Sequence, residues 1–203
     1  MIEFDEKTNS LNYLYQSLEF LNKTKEDKTF WKWFVISLYG ALYGFGFLFI
    51  KGSNYETVAE IKVKAKDQNK NIHKTTLNKI SEEKSYSKRL KIISLRDDIF
   101  KIKPANQIIS DCKNNAYRGK EALKTTKEQD EAIERISNLR HELEHFIPTL
   151  INQELLIKDS IHILDVIKYL SENKEDYSPR FSDREKKKIK STILKIQKEL
   201  KKL

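Results

Sequence analysis

Residues 33–50 read Trp33-Phe-Val-Ile-Ser-Leu-Tyr-Gly-Ala-Leu-Tyr-Gly-Phe-Gly-Phe-Leu-Phe-Ile50, a run without a charge, bracketed by Lys32 and Lys51. A helix that is apolar on every side is either a membrane span or the central helix of a globule. Length permits a crossing, because a span takes roughly 17–25 residues. Gly40 and Gly44 also form the four-residue step that lets helices meet closely in lipid. Ser37, Tyr39, Tyr43 and the three glycines of the run argue the other way. So does the rest of the chain, which is polar and helical and needs one fully buried helix as a core. The run is therefore expected to be the centre of a bundle, with Gly40, Gly44 and Gly46 admitting neighbouring helices.

The composition agrees. The chain has 203 residues, enough for one domain or two small ones. Hydrophobic residues at 38% and charged residues at 34% exclude a disordered chain. Only 5 Gly and 3 Pro weigh against turn-dense sandwiches and barrels, and a single Cys excludes an internal disulfide framework. The formal charge of +9, carried mostly by Lys, favours contact with a polyanion. The start, Met1-Ile-Glu-Phe-Asp-Glu6, has neither the cationic segment nor the apolar run of a secretory leader. A cytoplasmic location with no membrane partner is expected.

Outward from the apolar run, a period of three and four dominates. Leu11, Leu14, Tyr15, Leu18 and Leu21 mark a first amphipathic helix, and Asp27 to Thr29 can cap the second, which Gly52 would end. Residues 54–85 are polar and weakly periodic. They read as a short helix near Glu56–Lys66 and then a mobile or helical excursion. A third helix is expected over about Ser87–Lys101, with Leu90, Ile93 and Phe100 inward. Pro104 opens a short element around Ile108 and Ile109.

A fourth helix starts near Thr125 or Thr126 and runs to about Ile147, with Ala132, Ile133, Ile136, Leu139, Leu143 and Phe146 as its core side. A fifth spans about Thr149–Leu170. Ser182-Asp-Arg-Glu185 is a capping box, and it opens a last helix with a seam of Ile189, Ile193, Ile196, Leu200 and Leu203. The expected fold is all-α, an up-and-down bundle of five to six helices. Residues 1–175 form the bundle, and residues 176–203 form an amphipathic helix packed on it or at a dimer interface.

One constellation on the fourth helix can carry chemistry: Leu139-Arg140-His141-Glu142-Leu143-Glu144-His145-Phe146. With Leu139 at 0° on a wheel of about 100° per residue, Ala132, Ile136, Leu143 and Phe146 fall within about 60°, His141 and His145 near 200° and 240°, and Arg140 on the flank near 100°. The histidines thus face solvent or a second subunit. His141-Glu142-x-x-His145 also matches the two-ligand pattern of zinc hydrolases. Its extended form fails, since Pro148 stands where a Gly is wanted and Ile151 where a third His is wanted. Glu154, Asp159 or Glu172 would have to supply a third ligand. In the plainest reading, Arg140 and Glu144 are an i,i+4 ion pair and the histidines are solvated.

Arg140-His141-x3-His145 resembles the signature of the HEPN superfamily: an Arg, a polar residue, a short spacer and a His on a late helix. Phe30-Trp31-Lys32-Trp33 leading into the apolar helix, the acidic approach Glu128-Gln-Asp130-Glu131, and the Phe146 and Pro148 that follow the motif extend the likeness over about residues 5–170. The resemblance implies a HEPN-like bundle and a metal-independent endoribonuclease, with no cofactor and no metal. It also implies a homodimer whose paired motif helices form a composite site.

RNA cleavage by 2′-OH attack needs a base, a cation on the charged phosphorane and an acid for the leaving oxygen. His145 would serve as base or acid, Arg140 would hold the phosphate, and His141 would orient His145 or touch the phosphate. Glu144 and the cluster Lys186, Lys187 and Lys188 are candidate substrate contacts. A role as a toxin or antiphage defence effector, with an antitoxin or another defence protein as partner, follows from the resemblance only. The alternative is a non-catalytic helical module that binds RNA or a protein.

Overall fold

The computed structural model describes residues 5–51, 58–61, 100–114, 122–172 and 181–203. Its elements follow the capping signals closely. The Asp5 carboxylate accepts from the Thr8 N–H at 2.6 Å and starts α1 (Glu6–Lys23). Asp27 accepts from the Thr29 N–H at 2.8 Å in the turn before α2 (Phe30–Lys51). After α2 a two-stranded antiparallel ladder pairs β1 (Ala59–Ile61) with β2 (Phe100–Ile102), Glu60 opposite Lys101. Then come α3 (Ala105–Lys113), α4 (Lys127–Glu144), α5 (Gln153–Ser171) and α6 (Asp183–Leu200). Thr126 with Gln129, and Ser182 with Glu185, form reciprocal capping boxes at the starts of α4 and α6.

The molecule is an all-α, up-and-down bundle with six helices among the described residues. α2 is its axis, packing against α1, α3, α4 and α5. α6 closes the bundle by packing on α1 and α5, so its seam of Ile189, Ile193, Ile196 and Leu200 is buried within the same chain. By length and composition α2 could cross a membrane, and 61% of its apolar window is buried among the other helices.

The glycines of α2 set how close those neighbours come. A Cβ on Gly40 would stand 2.8 Å from the Tyr13 ring, and one on Gly44 would collide with the Ser10 hydroxyl, so both admit α1. Gly46 faces α3, where a Cβ would lie 3.0 Å from Ile109 Cδ1. α4 and α5 are tied by a two-pronged ion pair, Arg135 Nε to Asp159 Oδ2 and Arg135 Nη2 to Asp159 Oδ1, both 2.8 Å. Asp159 is buried, and its hydrogen bonds push the Arg135 guanidinium above its usual range.

Several expectations shift. The helix expected near Glu56–Lys66 is not formed at its described residues: Val58 lies in a turn and Ala59–Ile61 are a strand. Likewise Phe100 and Lys101 end no helix but belong to β2. Strands of three residues are too short to show an alternating pattern, and they gain their hydrogen bonds only from a partner about forty positions away. Gly52, Leu90, Ile93, the rest of the 54–85 excursion and the body of the Ser87–Lys101 helix lie outside the described residues. α4 stops at Glu144 rather than Ile147, and α5 begins at Gln153, capped by Asn152, rather than Thr149. Leu203, expected in the last seam, is 42% exposed, because α6 ends at Leu200.

Candidate active site

The end of α4 decides what its motif can do. His145 is the C-cap and still donates its N–H to the His141 carbonyl. Phe146 follows in the left-handed region at φ 56°, and the Ile147 N–H turns back to the Glu142 carbonyl at 3.0 Å. That bond is the six-to-one closure of a Schellman end, with a phenylalanine in the place glycine usually takes. The left-handed step carries Phe146 off the helical wheel. It was expected on the core side and is instead 84% exposed. The lost register also explains the early end of the helix.

The same geometry leaves both histidines in solvent, as the wheel required. Their ring centroids are 4.5 Å apart with planes inclined at 58°. Arg140 is half-buried on the flank. Its Nη2 lies 2.6 Å from Glu144 Oε2, and its guanidinium carbon stands 5.3 Å from the centroid of the Tyr39 ring on α2. The i,i+4 pair of the plainest reading is therefore formed. Glu144 neutralises the cation that a phosphate would need, so an anionic ligand has to displace it. Trp31 is a buried core residue in edge contact with Phe34, whereas Trp33 is 48% exposed.

Lys186, Lys187 and Lys188 stand elsewhere. They ride on α6, which packs on α1 and α5, while the motif rides on α4, which packs on α2 and α5. Lys188 Nζ sits 4.1 Å from the centroid of Tyr15 on α1.

Two further residues bear on the zinc pattern. Glu142, its would-be base, has its Oε2 2.9 Å from the Thr149 hydroxyl, in the loop that follows. Among the described residues no three His, Cys, Asp or Glu side chains converge in a way that could hold a metal ion, and Asp159, one offered third ligand, is committed to Arg135. Cys112 is buried, its thiol facing the Gly46 carbonyl at 3.4 Å.

What the sequence did not signal is the apolar rim around the motif. Phe146, Ile147, Leu150 and Leu155 are exposed in and just beyond the loop after α4, and Trp33 is exposed on α2. Lys32 links Phe146 and Trp33, its Nζ 4.3 Å from the Phe146 centroid and 5.4 Å from that of Trp33. Comparison of the chain with protein-family models, curated proteins and solved structures returned no match.

Proposed function

We propose that the protein is a metal-independent endoribonuclease of HEPN type, cytoplasmic, acting as a homodimer. The observation that carries the reading is the exposure of His141 and His145 beside the half-buried Arg140 at one helix end, next to the uncovered large apolar side chains of Phe146, Ile147 and Leu150. Scattered exposed hydrophobics are ordinary on a protein surface; a cluster beside titratable groups marks an interaction site. A second copy placed over this rim would cover Phe146, Ile147 and Leu150 and bring two motifs together. Its cellular role would be that of a toxin or antiphage effector, held in check by a protein partner.

In such a pair, one His145 takes the proton of the 2′-OH as that oxygen bonds to phosphorus. Arg140 leaves Glu144 and holds the equatorial oxygens of the phosphorane. The other His145 gives a proton to the departing 5′-oxygen as the P–O bond breaks. The products are a 2′,3′-cyclic phosphate and a free 5′-hydroxyl. His141, 4.5 Å from His145 ring to ring, fixes the orientation of its neighbour.

Purified protein incubated with total RNA, with and without EDTA, tests this. Cleavage that survives chelation and falls by about 10²–10⁴-fold in Arg140→Ala and in His145→Ala is expected. Intact RNA with well-folded protein overturns the catalytic reading. The non-catalytic module is the second reading, favoured by the closed Arg140–Glu144 pair. It is supported if RNA is bound but not cut.

A further inference from the structure

An open cleft of about 360 Å³ lies between α2, α3 and α4, at the small end of the range for ligand sites. Leu42, Ile109 and Ile133 give it apolar lining, and Tyr39 and Tyr43 line it from α2. Much of its polar lining is already committed. The Tyr43 hydroxyl donates to the Lys103 carbonyl at 3.1 Å, Ser137 Oγ lies 3.4 Å from the Tyr39 hydroxyl, and Lys113 Nζ is 2.6 Å from Asp130 Oδ1. Asn106 uses its Oδ1 on the Gln107 N–H and keeps its amide N–H pair. Glu134 and Asn138, one turn apart on α4, line the cleft, and their side chains make no hydrogen bond or ion pair to any described residue.

An acceptor-only carboxylate in a cleft that also carries apolar and aromatic side chains fits a flat ligand with adjacent N–H donors on one edge. Among the nucleobases, only guanine offers that edge. Its N1–H and N2–H₂ match the two oxygens of Glu134, while the Asn138 amide, one turn on, can donate to O6. Adenine and cytosine set a donor beside an acceptor, and uracil has a single imino donor between two acceptors. Tyr39 and Tyr43, which line the cleft, are the aromatic side chains against which an unpaired base would stack. The cleft also adjoins the motif, because Tyr39 both lines it and carries Arg140 over its ring at 5.3 Å.

We propose that this cleft is a guanine-binding subsite, with Glu134 as its specificity-determining residue. Its use on RNA rests on the nuclease reading: a guanosine seated here would bring its own phosphate to Arg140 and place the cut beside it. The same base edge could belong to a free guanine nucleotide, so the two sources are tested separately.

Calorimetric titration of the full chain with GMP, AMP, CMP and UMP is the first arm. GMP is expected to bind at least tenfold more tightly than the others, and Glu134→Gln, an exposed change one atom wide, is expected to remove that preference. Equal binding of the four nucleotides, or a preference that survives Glu134→Gln, overturns the subsite.

Cleavage of short RNAs with a single guanosine is the second arm. Cuts beside that guanosine, scattered over other positions in Glu134→Gln, assign the subsite to RNA. GMP selectivity with no cleavage of any RNA supports the cleft as a free-nucleotide site and removes the nuclease reading. Cleavage without base preference, together with unselective nucleotide binding, overturns the cleft and leaves the nuclease reading standing.

Discussion

Phe146 is held in the left-handed region with its ring in water, touched by one lysine. That conformation costs a side chain with a Cβ roughly 1–2 kcal/mol, and an exposed cation–π contact returns about 0.5–1 kcal/mol. Folding alone therefore gives little reason for a phenylalanine here. Phe146→Gly is expected to leave the thermal midpoint unchanged or slightly raised, since glycine adopts φ 56° freely. It is expected to weaken self-association by tenfold or more if the ring belongs to the dimer face, which sedimentation equilibrium would measure. A clear loss of folding stability would show that the ring matters to the monomer instead. The motif itself was legible at this scale: His141 and His145 face away from the core and Arg140 lies on the flank, as their spacing requires. Phe146 was not, because its place depends on one backbone torsion that a helical wheel assumes away.

Between elements, the glycines of α2 separate close approach from helix propensity. Gly44→Ala gains about 1 kcal/mol of intrinsic helix stability but drives a Cβ into Ser10, whose own Cα would lie 3.1 Å away. Overpacking of that kind costs about 1–3 kcal/mol, so a net loss is expected in urea unfolding. Gly46→Ala meets mainly the movable ends of Ile109 and Ile108 and is expected to come out near neutral. Equal effects at the two sites would mean that α1 is not seated on Gly44.

The start of α6 offers a pH test. Partial burial raises the Glu185 carboxyl, but hydrogen bonds from Lys7 and Ser182 outweigh it and hold it below the usual carboxylate range. A carboxyl lowered in the folded state adds stability above its unfolded pKa and loses it as pH falls through the folded one. Glu185→Gln keeps the cap but drops the Lys7 pair at 2.8 Å. Its thermal midpoint should fall slightly below that of the parent at pH 7, by the equivalent of about 0.2–1 kcal/mol, and the two should converge toward pH 3. A gap that stays constant with pH would assign the effect to the cap.

At the scale of the whole molecule, α2 packs against four helices and α6 is held by two, which leaves the rim around the α4 end as a cluster of uncovered large apolar groups. In solution the protein is expected to sediment at about 48 kDa, twice its chain mass of 24.0 kDa, and Leu150→Glu is expected to return it to a monomer. A wild-type monomer at all accessible concentrations would remove the composite site.

The sequence by itself determined the helical class, the central place of residues 33–50, the start of α4 near Thr126, the capping box that opens α6, and the solvent-facing side of the two histidines. All of these follow from local periodicity and short-range hydrogen bonds, which act within a turn or two of the residues concerned. Tertiary structure alone decided the β1–β2 ladder, the pairing of Arg135 with Asp159, the separation of the α6 lysines from the α4 motif, and the cleft walled by Tyr39 and Glu134. Each of these joins groups far apart along the chain. Their free energy comes from contacts that exist only once the helices have packed, and no spacing along one strand of sequence encodes them.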